Sequence, residues 1–136
     1  MEYSSVLASI YLLNDETVNE CFYSFVSKFF VVESLYKKLL IKYKKANSFA
    51  NKNINKKDLR IILSEVYETL DYFDIEYEKP VLSRIFSSNN ENFSECSIKK
   101  LRDRLAHDIT KDGIIAIIKR HDQIQSDLDY FLSLVK

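Results

Sequence analysis

Val18, Phe22, Phe25, Phe29, Val32, Tyr36, Leu39 and Tyr43 recur along the chain at alternating steps of four and three. That spacing holds eight large apolar side chains on one face of an α-helix, and no strand pattern accommodates it. Thr17 and Glu20 have capping-box spacing, so the helix is expected to run from about residue 17 to 46, roughly 45 Å at 1.5 Å per residue. Val26 and Leu40 widen the stripe, and Glu33 interrupts that edge between them. So long an apolar face must be covered by other elements. With one Gly and one Pro in 136 residues, those elements are helices joined by polar connectors.

The remaining patterns agree. Tyr3, Val6, Leu7 and Ile10 suggest a short first helix, and "NSFANKNINKKD" reads as a connector. Leu59, Ile62, Val66, Leu70 and Phe73 form a further stripe that ends before Pro80, and "VLSRIF" adds a turn or two. "SSNNENFSECS" is loop-like, because Ser and Asn compete with helical hydrogen bonds. A short helix with Ile98, Leu101 and Leu105 follows. It pauses near Gly113, and Ile114, Ile117, His121, Ile124, Leu128, Phe131 and Val135 make one final helix. The expected fold is all-α, a four- to five-helix bundle forming a single domain over residues 1–136.

The 20 basic and 20 acidic side chains cancel, so no global field draws in nucleic acid, yet the charges are sorted. Residues 37–60 hold nine cations, among them Lys52, Lys56 and Lys57, against Asp58 alone. Residues 65–78 hold six acids and no cation. Two solvated faces are the plain reading; a basic loop that meets phosphates is the functional one. Cys21 and Cys96 have no zinc spacing and read as reduced thiols. The amino-terminal "MEYSSVLASIYLL" has no basic n-region, and no apolar run is long enough to cross a bilayer, so a cytoplasmic protein without membrane contact is expected. No ligand cluster suggests a metal or cofactor.

Chemistry-bearing residues gather in "KKLRDRLAHDITKDG", residues 99–113. Five residues of α-helix turn through about 500°, so Arg102 and His107 stand about 140° apart and cannot converge on one ligand from a regular helix. Arg104 is the nearer neighbour of His107. The plain reading is a set of cations at a helix carboxyl end. The hexapeptide "RDRLAH", Arg102 to His107, followed by a long terminal segment "GIIAIIKRHDQIQSDLDYFL", resembles the HEPN superfamily. Its motif is an arginine, a polar residue, here Asp103, and a histidine after four to six intervening residues, here four. The six-residue motif is short, but the helical context extends over most of the chain.

The resemblance implies metal-independent RNA cleavage. The 2′-hydroxyl would attack the adjacent phosphate and leave a 2′,3′-cyclic phosphate. His107 would serve as acid/base, Arg102 would stabilise the phosphorane, and Asp103 would orient its neighbours. Arg104, Lys52, Lys56 and Lys57 would bind substrate. The resemblance also implies a homodimer with a composite site, acting as a toxin or anti-phage effector, with a cognate antitoxin as a further partner. Ile109 departs from the pattern: toxins paired with nucleotidyltransferase antitoxins carry a Tyr two residues after the motif histidine. Two other readings stand beside this one, a non-catalytic HEPN-like module binding RNA, a nucleotide or a protein, and a helical antitoxin or immunity protein. His121 reads as a core histidine, or else as lining a cleft beside His107.

Overall fold

The computed structural model describes residues 15–47, 54–88 and 91–136, and these carry six α-helices, a short 3-10 helix and no strand. The all-α class is observed. The helix suggested by Tyr3, Val6, Leu7 and Ile10 lies outside the described residues, as does Lys52.

α1 spans Glu16–Asn47. Its cap is Asp15 rather than Thr17: the Asp15 carboxylate accepts from the backbone N–H of Thr17 (2.9 Å) and of Val18 (3.2 Å). A carboxylate also suits the positive end of the helix dipole. Val18, Phe25, Phe29, Val32, Tyr36 and Leu40 are buried, so the stripe is the core face, though Leu40 replaces Leu39 at its centre.

A 3-10 turn at Lys56–Leu59, closed by a reciprocal Asn55–Asp58 capping box, precedes α2, Leu63–Tyr72. Helical periodicity does not cross this join. Ile62 sits in extended backbone and is exposed, and Ile61 is buried in its place. α2 ends where Asp74 takes the left-handed conformation (φ 55°) and the Ile75 N–H returns to the Leu70 carbonyl at 3.0 Å. α3, Lys79–Phe86, takes Pro80 in its first turn, where a missing N–H is harmless.

α4, Ile98–His107, is capped by Ser97, whose Oγ accepts from the Lys100 N–H and donates to the Ser87 carbonyl. Ile98, Leu101 and Leu105 are buried as expected. The pause comes at residues 108–110 rather than at Gly113, which lies in the first turn of α5, Lys111–Lys119, under the Thr110 cap. A Cβ on Gly113 would stand 2.7 Å from Leu105 Cδ2, so this glycine permits α5 to approach α4 closely.

The expected single terminal helix is two, divided at Arg120 (φ −99°, ψ 9°), with α6 spanning His121–Val135. The helix count therefore exceeds the expected four to five. His121 is half-exposed at the head of α6, not a core residue.

α1 is the central rod: α6, α5 and α2 pack on it, α3 packs on α4 and α6, and α4 packs on α5. Tyr36, Phe86 and Phe131 interlock with ring centroids 5.2 to 6.4 Å apart. The Tyr36 hydroxyl makes no well-formed hydrogen bond, and burial pushes its phenol well above the ordinary range. The sorted charges partly meet, since Lys44 pairs with Glu65 at 3.2 Å. No helix among the described residues is long and apolar enough to cross a membrane.

Candidate functional site

The motif residues share α4 but not one face of it. Leu101 and Leu105 fix the inward side, which sends Arg102 to one flank of the apolar seam and Arg104, about 200° away, to the other. Asp103 and His107 are left on the outer side. Because the helix is regular through His107, the 140° separation expected from the sequence holds within one chain.

Arg102 reaches α1. Its Nη2 donates to Glu33 Oε2 at 2.8 Å, across 69 residues of sequence, and lies 3.2 Å from Asp103 Oδ1. Its guanidinium covers the Phe29 ring at 4.9 Å, while its Nε is buried without a partner. This explains the charge that interrupts the apolar edge of α1: Glu33 is there for Arg102. A carboxylate on an otherwise apolar helix edge implies a buried cation opposite, although nothing in the sequence names it.

Asp103 stands between two cations, with its other oxygen 3.3 Å from Lys99 Nζ. Arg104 does not join Arg102. It covers the Phe93 ring at 5.1 Å, on the connector before α4. His107 is exposed at the last turn of α4, and its imidazole has no hydrogen-bonding partner among the described residues.

The basic segment is brought near the arginine through Glu33. Lys37, one turn along α1, lies 3.9 Å from Glu33 Oε1 and also lines a shallow recess with Lys56, Lys57, Leu59 and Arg60. A run of cations therefore extends from Arg102 past Glu33 and Lys37 to the 3-10 turn. Lys56 and Lys57 lie in it, with Lys37 and Arg60, which the sequence reading did not single out. Periodicity reveals a face but not which loop folds back over it.

A second polar cluster lies away from this face. Arg84 of α3 donates through Nε and Nη2 to both oxygens of Asp127 on α6, each at 2.9 Å, and Asp127 is buried. Gln123 donates to the same carboxylate and accepts from Arg120 Nε at 3.4 Å. Sequence reading missed all four residues, which are scattered over two helices and the break at Arg120. Among the described residues, no group of three or more His, Cys, Asp or Glu side chains is placed to hold a metal ion. Cys21 and Cys96 are free thiols. Comparison with family models, with curated proteins and with solved structures found no match.

Proposed function

We propose that the protein is a metal-independent endoribonuclease of HEPN type, a cytoplasmic toxin or anti-phage effector that works as a homodimer. The observation that carries this reading is the division of labour on α4. One helix holds an arginine whose guanidinium is held by Glu33 and Phe29 and presents a histidine with no structural duty. A packing role accounts for the arginine but not for the histidine.

In this reading His107 moves the proton of the 2′-hydroxyl or of the leaving 5′-oxygen, and Arg102 meets the charge that builds on the phosphorane. Asp103, bonded to Arg102 and Lys99, orients the arginine. Lys37, Lys56, Lys57 and Arg60 track the strand backbone on either side. Since one chain sets the pair about 140° apart, two copies of α4 meeting across a two-fold axis supply an acid and a base to one phosphate.

The test is expression of wild type and His107→Ala in a bacterial host, followed by incubation of purified protein with RNA. Growth arrest relieved by the substitution, and products ending in 2′,3′-cyclic phosphate formed equally in EDTA, support the proposal. Equal tolerance of both proteins and intact RNA would leave the second reading, a non-catalytic RNA-, nucleotide- or protein-binding module. That reading has an observation of its own: Arg102 is already engaged by two carboxylates, which a phosphate must displace. For the dimer, Asp103→Cys should cross-link two chains far more readily than Glu76→Cys.

A further inference from the structure

Arg84, Gln123 and Arg120 line a recess of about 300 Å³, where the end of α3, the connector before α4 and the α5–α6 break meet, and Asp127 lies buried behind Arg84 and Gln123. Each guanidinium is held from behind. Arg84 gives Nε and Nη2 to Asp127; Arg120 gives Nε to Gln123 and Nη1 to the Phe93 carbonyl at 2.8 Å and to Cys96 Sγ at 3.9 Å. Nη1 of Arg84 and Nη2 of Arg120 keep no partner among the described residues, and both side chains line the same recess.

The charge is not spent internally. Asp127 matches Arg84, but every hydrogen-bond partner of Arg120 is neutral, so no contacting carboxylate cancels the Arg120 charge. Ser83 and Ser94 add hydroxyls to the lining, and Glu95 is the one carboxylate among the lining residues, exposed and outside ion-pair distance of Arg120. Planar guanidinium forks fixed by hydrogen bonds lose little freedom on meeting a phosphate, and they match its oxygens two at a time. Asp127, 4% exposed, supplies that fixing for Arg84.

We propose that this recess binds a phosphomonoester of mononucleotide size, its phosphate bridging Arg84 and Arg120. The volume lies at the small end of ligand sites, enough for a phosphate with one nucleoside and too small for a folded strand. The phosphate can come from a free nucleotide or from the 5′ end of an RNA. The site is separate from Arg102 and His107 and does not rest on the cleavage reading.

Calorimetric titration at low salt tests it, with AMP, adenosine and inorganic phosphate as probes, on the His107→Ala protein so that no RNA is consumed. AMP should bind at least tenfold more tightly than adenosine, and inorganic phosphate should compete. Arg120→Gln should weaken AMP at least tenfold, and Glu95→Gln should tighten it a few-fold. Glu95 is exposed, so its variant keeps the test alive if Arg120→Gln fails to fold; Arg84 is left intact because its loss would strand Asp127. A 5′-phosphorylated trinucleotide that displaces AMP where its 5′-hydroxyl counterpart does not identifies an RNA end, and AMP that neither trinucleotide displaces identifies a free nucleotide. Equal affinity for AMP and adenosine, no AMP binding at millimolar concentration, or AMP affinity untouched by both substitutions would overturn the proposal.

Discussion

Arg102 and His107 belong to one motif, yet their removal should have very different effects on stability. As ordinary surface substitutions each would cost under about 0.5 kcal/mol. His107→Ala should behave so, because the imidazole is exposed and has no partner among the described residues. Arg102 is only 32% exposed and Glu33 18%. A hydrogen bond to a charged group contributes about 1.5–3 kcal/mol, reduced here by solvent at the arginine. Its place over Phe29 adds about 0.5–1 kcal/mol. The unpaired Nε offsets part of this, since deletion removes a buried donor with no acceptor. Arg102→Ala should therefore cost about 1.5–2 kcal/mol. Glu33→Gln keeps an acceptor but loses the charge, and should cost about 1 kcal/mol. Urea denaturation of both single variants and the double variant gives their coupling, expected at about 1 kcal/mol. Single effects that add to within about 0.3 kcal/mol, or an Arg102→Ala protein as stable as His107→Ala, would show that the 2.8 Å contact carries no energy.

Lys56→Gln with Lys57→Gln should weaken RNA binding and lower the slope of log K against log salt by about 0.7 for each lost phosphate contact, measured by fluorescence anisotropy; an unchanged slope would make that turn a solvated surface. Tyr77 donates to Asp71 at 2.8 Å, and burial with that bond pushes its phenol up to about 12. Its folded value lies above the unfolded one near 10, so the stabilisation is complete below about pH 10 and is lost as pH rises toward about 12; urea midpoints that stay flat from about pH 9 to about pH 11.5 would contradict this. Gly113→Ala gains up to about 1 kcal/mol of helix propensity but drives a methyl to 2.7 Å from Leu105, so thermal unfolding should show a net loss of about 1 kcal/mol. A higher melting temperature would mean that Leu105 turns aside at no cost.

The sequence was most legible where one helix carries its own period. Eight apolar positions located α1, and Ile98, Leu101 and Leu105 located the motif helix. It was least legible where a period runs through a break. Ile114, Ile117, His121 and Ile124 keep three-four spacing across Arg120, and neither Gly nor Pro marks the division. The only glycine misled for the opposite reason: it serves close packing, while the one left-handed backbone position among the described residues went to Asp74. At the site, the angle between Arg102 and His107 followed from helix geometry alone. The partners Glu33 and Phe29 did not, because a pairing across 69 residues leaves no local signal beyond the misplaced charge itself.

The central position of α1 bears on how the chain is made. Its main covers, α5 and α6, are translated long after it: 73 residues lie between Asn47 and His121. At about 5–20 residues per second, Phe25, Phe29, Val32 and Tyr36 have no lasting cover for about 4–15 s after they are synthesised. During that interval the nascent helix is a long apolar stripe, the kind of surface that holdase chaperones retain. Synthesis rate and chaperone supply, more than the stability of the finished bundle, should therefore set how much of the protein reaches its folded form.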